Sequence, residues 1–263
     1  MRPDPAGKTT KGSALQLWWA YPDDLLRAEA AEACAALLSD DERERWQRFR
    51  FEHTRREYLA THALARTALA RFCGAAPEEL RFVPNAHGKP ALEPDCGVRF
   101  NLSNSAGLVV CFAAAGSAEV GVDVESFARA GQIAAVAHKV LSAQERMQLE
   151  ALPEDERRGR VLSLWTLKEA YIKARGMGMS LPMHRASFLF DATDAIRLEL
   201  EPSLRDDARR WRFCLVDHAQ HRIALMVEGA ALRVLEVWEA RPPSGTPVPL
   251  KLPAGAWFCA PRG

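Results

Sequence analysis

The sequence predicts an α+β protein of two similar lobes related by a pseudo-two-fold axis, each a small antiparallel sheet packed with helices. Two observations carry this. Short apolar runs of strand length are followed by long helical stretches rich in Ala, Leu and Arg, and the order of elements in the first half returns in the second. The halves also share spelling. Leu38-Ser39-x-x-Glu42-Arg43 matches Leu141-Ser142-x-x-Glu145-Arg146, and Arg99-Phe100 before an apolar strand matches Arg212-Phe213 before another. The lobes are read as residues 14–117 and 118–240, with an irregular N-terminus over 1–13 and a Pro/Gly-rich tail over 241–263 that drapes over the body.

Leu15 to Tyr21, rich in aromatics, reads as the first strand, and Asp23 to Leu38, heavy in Ala and Leu, as a helix. Ser39 to Glu42 fits a capping box and opens a helical region reaching about Phe72. Prolines and glycines from Pro77 to Gly97 then break regular structure. Arg99–Leu102 and Leu108–Ala114 read as paired strands, joined by the turn-rich segment Ser103 to Gly107. In the second half a strand over Glu119–Glu125 is followed by a helix from about Gln132. A second capping box at Ser142 precedes a long helix from about Asp155 to Arg175, ended by Gly176, Gly178 and Pro182. Strands are expected at Ala186–Phe190, Trp211–Val216, Arg222–Val227 and Leu232–Trp238.

Composition narrows the function. A formal net charge of +1 gives no global pull toward nucleic acid or membrane, and no apolar stretch is long enough to span a bilayer. Six cysteines lie far apart without a C-x-x-C pair, so zinc is not expected. The N-terminal segment lacks an apolar signal core, which predicts a cytoplasmic chain with reduced thiols.

The chemistry concentrates in a few places. Gly121-Val122-Asp123-Val124-Glu125 sets two carboxylates on one face of an apolar strand, where alternation points both the same way. Buried side by side, they call for a positive partner, and a hard divalent cation with oxygen ligands, Mg²⁺ above all, supplies it. As solvated acids on an edge strand they would need none. In Trp165-Thr166-Leu167-Lys168-Glu169-Ala170-Tyr171-Ile172-Lys173, Glu169 and Lys173 share one helical face. Glu169 would complete a three-carboxylate Mg²⁺ shell, and Lys168 and Lys173 would offset phosphate charge. Otherwise they form an ordinary surface pair. The turn His87-Gly88-Lys89-Pro90 presents a lysine. Asn101-Leu102-Ser103-Asn104-Ser105 reads as a polar turn able to bind phosphate oxygens, or simply as a hairpin turn.

In their order and spacing, Gly88-Lys89-Pro90, Phe100-Asn101-Leu102-Ser103, Gly121 to Glu125, and Trp165 to Lys173 with Gly176, Gly178 and Leu181-Pro182 resemble the 4′-phosphopantetheinyl transferases, in the larger two-lobed Sfp type. The resemblance spans roughly residues 38–190 and implies that family's fold. It implies transfer of the phosphopantetheine arm of coenzyme A to a serine of an apo acyl, peptidyl or aryl carrier protein, releasing adenosine 3′,5′-bisphosphate. It also implies Asp123, Glu125 and Glu169 as the Mg²⁺ shell, with Lys173 on the diphosphate. Gly88, Lys89, Pro90, Ser103, Asn104 and Lys168 would sit at coenzyme A, and Arg45, with Arg56 as a weaker candidate, at its adenosine end. Glu145 matches the position of a base that activates the serine, although it also fits a helix cap. Glu145, Glu169 and Lys173 are thus the catalytic set. The family's usual histidine after Ser103 is replaced by Asn104, which donates hydrogen bonds but carries no charge.

The resemblance also implies a monomer with one site between its lobes, and the local arginine excess suits an acidic carrier. Two other readings compete: a non-catalytic binder of coenzyme A or carrier protein, and a Mg²⁺-dependent nuclease. The second expects a broad basic surface that the near-neutral charge does not offer.

Overall fold

The computed structural model describes residues 15–27, 29–229, 235–241 and 247–250. The first half holds β1 (Leu15–Ala20), α1 (Pro22–Leu25), α2 (Ala30–Ala36), α3 (Asp40–Arg48), α4 (Glu52–Cys73), β2 (Phe82–Pro84), β3 (Pro90–Leu92), β4 (Val98–Ser105) and β5 (Leu108–Ala115). The second holds β6 (Val120–Ser126), α5 (Ala130–Ala137), α6 (Ala143–Ala151), α7 (Glu154–Arg175), β7 (Ala186–Phe190), β8 (Ile196–Leu200), β9 (Trp211–His218), β10 (His221–Glu228), β11 (Leu235–Glu239) and β12 (Val248–Leu250).

Both capping boxes form as the sequence predicts, at Ser39–Glu42 and Ser142–Glu145. The helix expected over Asp23–Leu38 is instead two, because Leu26 leaves helical geometry (φ −105°, ψ 33°) and both Leu25 and Leu26 enter the core. The region from Ser39 to Phe72 also divides. Phe49 and Phe51 are extended, and Phe49 turns to pack on Tyr58 at 5.2 Å. The hairpin β7–β8 contains a strand the sequence reading missed, since Ile196–Leu200 carries charges on alternate residues.

Two sheets form the middle of the molecule. The first has the order β12-β11-β1-β5-β4, the second β6-β10-β9. β11, drawn by sequence into the second lobe, returns to the first sheet and runs parallel to β1, while β12 takes a stretch of the expected drape and pairs it with β11. The remainder of the tail and the N-terminal segment lie outside the described residues.

Side-chain alternation builds four layers. Trp18 and Ala20 of β1 pack with α4 on one side, whereas Leu15, Leu17 and Trp19 meet Val120, Val122 and Val124 of β6 between the sheets. On the far side α7 packs over the second sheet through Leu167, Ala170 and Ala174. The odd residues of β6 between these valines, Gly121 and Asp123, therefore face α7.

A disulfide joins Cys73, at the end of α4, to Cys96, in the loop before β4, with Cα atoms 5.5 Å apart. This corrects the expectation of reduced thiols throughout: the two cysteines that meet here are 23 residues apart and carry no spacing signal. Cys34, Cys111 and Cys214 are buried thiols, and Cys259 lies outside the described residues. Among the described residues no helix is long and apolar enough to cross a membrane.

Candidate active site

Gly121 sets the distance between β6 and α7. A Cβ there would lie 2.1 Å from the Ala170 carbonyl oxygen and 2.5 Å from the Ala174 nitrogen, so only glycine lets strand backbone touch helix backbone. Asp123 follows on the same face of β6, and Glu169 and Lys173 each precede one of those alanines by one residue on α7.

On its other flank β6 meets the edge of β4. The segment expected as a turn is strand: β4 runs through Ser105, and only Ala106 and Gly107, both at positive φ, form the turn. Asn101, Ser103 and Ser105 thus alternate on one side of β4. Asn101 Oδ1 accepts the Val122 N–H at 2.9 Å, and the Oγ atoms of Ser103 and Ser105 accept the N–H groups of Val124 and Ser126, each at 3.2 Å. The two hydroxyls then donate onward, Ser103 to Asp123 Oδ1 and Ser105 to Glu125 Oε2, both at 3.1 Å. Lys173 Nζ completes this side, 2.7 Å from Asp123 Oδ1 and 2.9 Å from Ser103 Oγ.

The three acids are not equivalent. Asp123 Oδ2 is buried without a hydrogen-bond partner. Glu169 lines a cavity of about 340 Å³ together with His87, Lys89, Leu102, Lys173 and Met183. Burial pushes its carboxyl above the usual range, and Asp123 and Glu125 add to this against the opposing pull of Lys173. Glu125 is raised by burial and by Asp123 as well, but it is well held: Trp165 Nε1 donates to Oε1 at 3.2 Å, and Arg129 Nη1 to Oε2 at 2.6 Å.

This donor set tests the expected ion. An orphaned buried carboxylate oxygen beside a second, raised carboxylate is a costly arrangement that a divalent cation relieves, and Mg²⁺ is commonly held by one or two carboxylates plus ligand phosphates. Asp123 and Glu169 fit that role. Among the described residues no ready-made group of three His, Cys, Asp or Glu side chains is arranged to hold a metal ion.

Two expected site residues lie elsewhere. Glu145 is fully buried: Oε2 accepts the Ser142 N–H at 2.7 Å and the Lys168 ammonium at 2.8 Å, and Oε1 accepts the Phe188 N–H at 2.8 Å. Lys168, also buried, donates to the carbonyls of Met183 and Ala186, and burial depresses its ammonium against the pull of Glu145. Glu145 thus has no exposed oxygen in this arrangement, and Lys168 is engaged by it and by backbone. A larger cavity of about 620 Å³, lined by Lys139, Ser142, Arg146, Arg185 and Glu199, includes none of the three acids.

The first lobe brings Gly88, Lys89 and Pro90 to the cavity wall. Lys89 is engaged there, with Nζ 2.6 Å from Glu119 Oε2 and donating to the carbonyls of Val120 and Ala174. Asn85, unremarked in the sequence, holds this loop: its carbonyl oxygen accepts the N–H groups of His87 and Lys89, and its amide donates to the Gly176 carbonyl. Asn104 is exposed and donates to Glu57. Arg45 is exposed on α3, and Arg56 pairs with Asp23 at 3.0 Å. Ser105, Arg129 and Trp165 were missed as partners of Glu125. The i,i+4 spacing of Glu125 and Arg129 was the one signal available.

The chain belongs to the 4′-phosphopantetheinyl transferase superfamily, whose description matches residues 119–226, with the 4′-phosphopantetheinyl transferase N-terminal family matching residues 27–116. Within it the chain is an enzyme of the Sfp type. It is 30% identical over 186 residues to a 4′-phosphopantetheinyl transferase of Bacillus subtilis, covering 71% of this chain and 81% of that one. It is 28% identical to 4′-phosphopantetheinyl transferase Sfp of Bacillus subtilis (strain 168), over 72% and 83% of the two chains. With 4′-phosphopantetheinyl transferase HetI of Nostoc sp. (strain PCC 7120 / SAG 25.82 / UTEX 2576) the identity is 29%, over 76% and 84%.

Proposed function

We propose that this enzyme transfers the 4′-phosphopantetheine group of coenzyme A to a serine hydroxyl of an apo carrier protein, with Mg²⁺, releasing adenosine 3′,5′-bisphosphate. The observation that carries the reading is the orphaned Asp123 Oδ2 next to the raised carboxyl of Glu169, which lines the cavity. Asp123 and Glu169 would hold the ion. When bound, it supplies the charge that neutralises the diphosphate and stabilises the leaving phosphate.

The side chains do the rest. Lys173 Nζ, poised on Asp123 and facing the cavity, would exchange that contact for a diphosphate oxygen. Leu102, Ile172, Leu181 and Met183 would keep water from the diphosphate, favouring the serine hydroxyl as acceptor. Gly88 and Pro90 would line coenzyme A, and Lys89 would serve first by fixing their loop against Glu119. Ser103 would aim Asp123 and Lys173. Asn104 would give phosphate a neutral donor, and Arg45 and Arg56 would lend charge at the adenosine end.

We place the enzyme in the cytoplasm as a monomer. Light scattering at micromolar concentration would overturn the monomer by giving twice the chain mass. The test of the activity is to incubate the protein with coenzyme A, Mg²⁺ and apo carrier proteins and weigh each carrier. A phosphopantetheine mass gain is expected, and its absence across acyl, peptidyl and aryl carriers overturns the reading. Asp123→Ala should lower the rate at least about 100-fold while leaving the melting temperature unchanged or higher, because it removes a buried like charge.

A further inference from the structure

The wall that the first lobe gives the cavity is poorly held by its own strands. Gly88, Lys89 and Pro90 lie at the tip of the β2–β3 hairpin, a sheet of two strands. A two-stranded hairpin is marginal alone in water. Its base is fixed, since Leu92 is buried and Phe82 packs on Phe100 at 5.5 Å. At the tip the register sets Pro84 against Pro90, and neither has an N–H to give the ladder. Asn85 takes over there. Its N–H donates to the Lys89 carbonyl at 2.8 Å and its carbonyl accepts the Gly88 N–H at 3.0 Å. Its Oδ1 accepts the N–H groups of His87 and Lys89 at 2.8 and 3.0 Å. Nδ2 alone leaves the hairpin, donating at 3.0 Å to the carbonyl of Gly176, 91 residues on in the second lobe. Gly176 ends α7 and lines the same cavity. A Cβ on it would stand 3.2 Å from both Asn85 Nδ2 and Lys89 Cδ, so hairpin and helix end are in close contact. Lys89 Nζ adds a second tie, to the carbonyls of Val120 and Ala174.

We propose that Asn85 is a positioning residue for coenzyme A, whose bridge to Gly176 sets the spacing between the walls that the two lobes give the cavity. The inference rests on the coenzyme A reading above and deepens it. Asn85 is exposed and lies outside the core, so its loss leaves the fold standing and frees the hairpin tip to shift from the end of α7. Asp123, Glu169 and Lys173 sit on β6 and α7 and keep their places. The residue therefore acts on how tightly the substrate is held, not on its turnover once bound. The local turn does not do this by itself. It fixes the shape of the tip, whereas the bridge fixes its place against α7.

Two substitutions separate the turn from the bridge. Asn85→Ser keeps a side-chain oxygen for the N–H groups of His87 and Lys89 but is too short to reach Gly176, and Asn85→Ala loses both. Calorimetry with coenzyme A and Mg²⁺ should show each variant binding about tenfold more weakly than the parent. KM for coenzyme A should rise by the same factor while kcat stays within about twofold. Both variants should melt within about 4 °C of the parent, and circular dichroism checks their fold. Either variant binding within about twofold of the parent overturns the inference alone, and so does a tenfold loss in kcat at the parent's KM. A parent protein that binds no coenzyme A overturns the coenzyme A reading and this inference together.

Discussion

Glu42 and Glu145 occupy corresponding corners of the two halves, and their difference tells scaffold from chemistry. Each closes a capping box at the start of a helix that precedes a 22-residue helix ended by a left-handed glycine, Gly74 or Gly176. Each meets a cation on that long helix. Arg66 reaches Glu42 and the carbonyls of Pro77 and Leu80; Lys168 reaches Glu145 and the carbonyls of Met183 and Ala186. Here the halves part. Glu42 is shared with His62 near the surface, whereas Glu145 and Lys168 are sealed. One residue beyond the cation the second half adds Glu169, and four later Lys173; the same steps in the first half give Thr67 and Arg71. Arg71 lies over the rings of Trp18 and Trp238 at 5.5 and 5.4 Å. The shared corner holds structure together in both halves, and the acid–lysine chemistry was added to one.

The comparison breaks if the two corners respond alike. Glu145→Ala strands a buried ammonium and should cost about 3–5 kcal/mol in urea unfolding. Glu42→Ala leaves Arg66 two carbonyls and water nearby and should cost about 1–3 kcal/mol. Equal losses would erase the distinction. Next in size, Gly121→Ala should destabilise by about 3 kcal/mol, because its methyl collides with helix backbone that has no rotamer to change. An unchanged melt would mean that β6 and α7 are not locked together.

Acid titration sharpens the contrast, because the signs oppose. Burial pushes the Glu42 carboxyl up, but His62, the Ser39 N–H and Arg66 outweigh it and hold it at about 2, against 4.5 for the free group. Its contribution is therefore present above 4.5 and lost as pH falls toward 2. Glu169 is raised, so the folded state binds its proton first; its ionisation costs stability above the folded value, and the cost is relieved as pH falls toward 4.5. Without metal, Glu169→Gln should raise the melting temperature at pH 7 and converge with the parent near pH 4.5, whereas Glu42→Gln should lower it and converge only near pH 2. The reverse order would sink the assignment. The smallest effect belongs to Asn104→His, which should tighten apparent coenzyme A affinity about threefold below pH 6.5 and little above it. A flat pH profile would remove Asn104 from the phosphate site.

What the sequence conveyed depended on whether the signal was local. Serine with glutamate three residues on, and glycine after the last helical turn, act within one stretch of chain, so both capping boxes and the Gly176 stop were legible. The paired acids on one face of β6 and the Glu169–Lys173 pair were legible by period. Glu145 was ambiguous because a cap and a base look the same until Lys168 and Phe188 arrive from elsewhere. Asn101, Ser103 and Ser105 were misread as a turn because polar residues there resemble loop composition. Their period of two was the strand signal, but its partner on β6 lies across a sheet boundary that no local pattern marks.

That boundary has a mechanical consequence. Where one strand edge meets another, backbone usually binds backbone and two sheets fuse into one. Here three short side chains of β4 take the amide protons of Val122, Val124 and Ser126 instead. They act as spacers of fixed length, so the gap between the sheets is a set dimension rather than a hinge. Opening it would strip three buried amides at once, and amide exchange at those residues should be as slow as global unfolding. The seam between β4 and β6 therefore keeps its width.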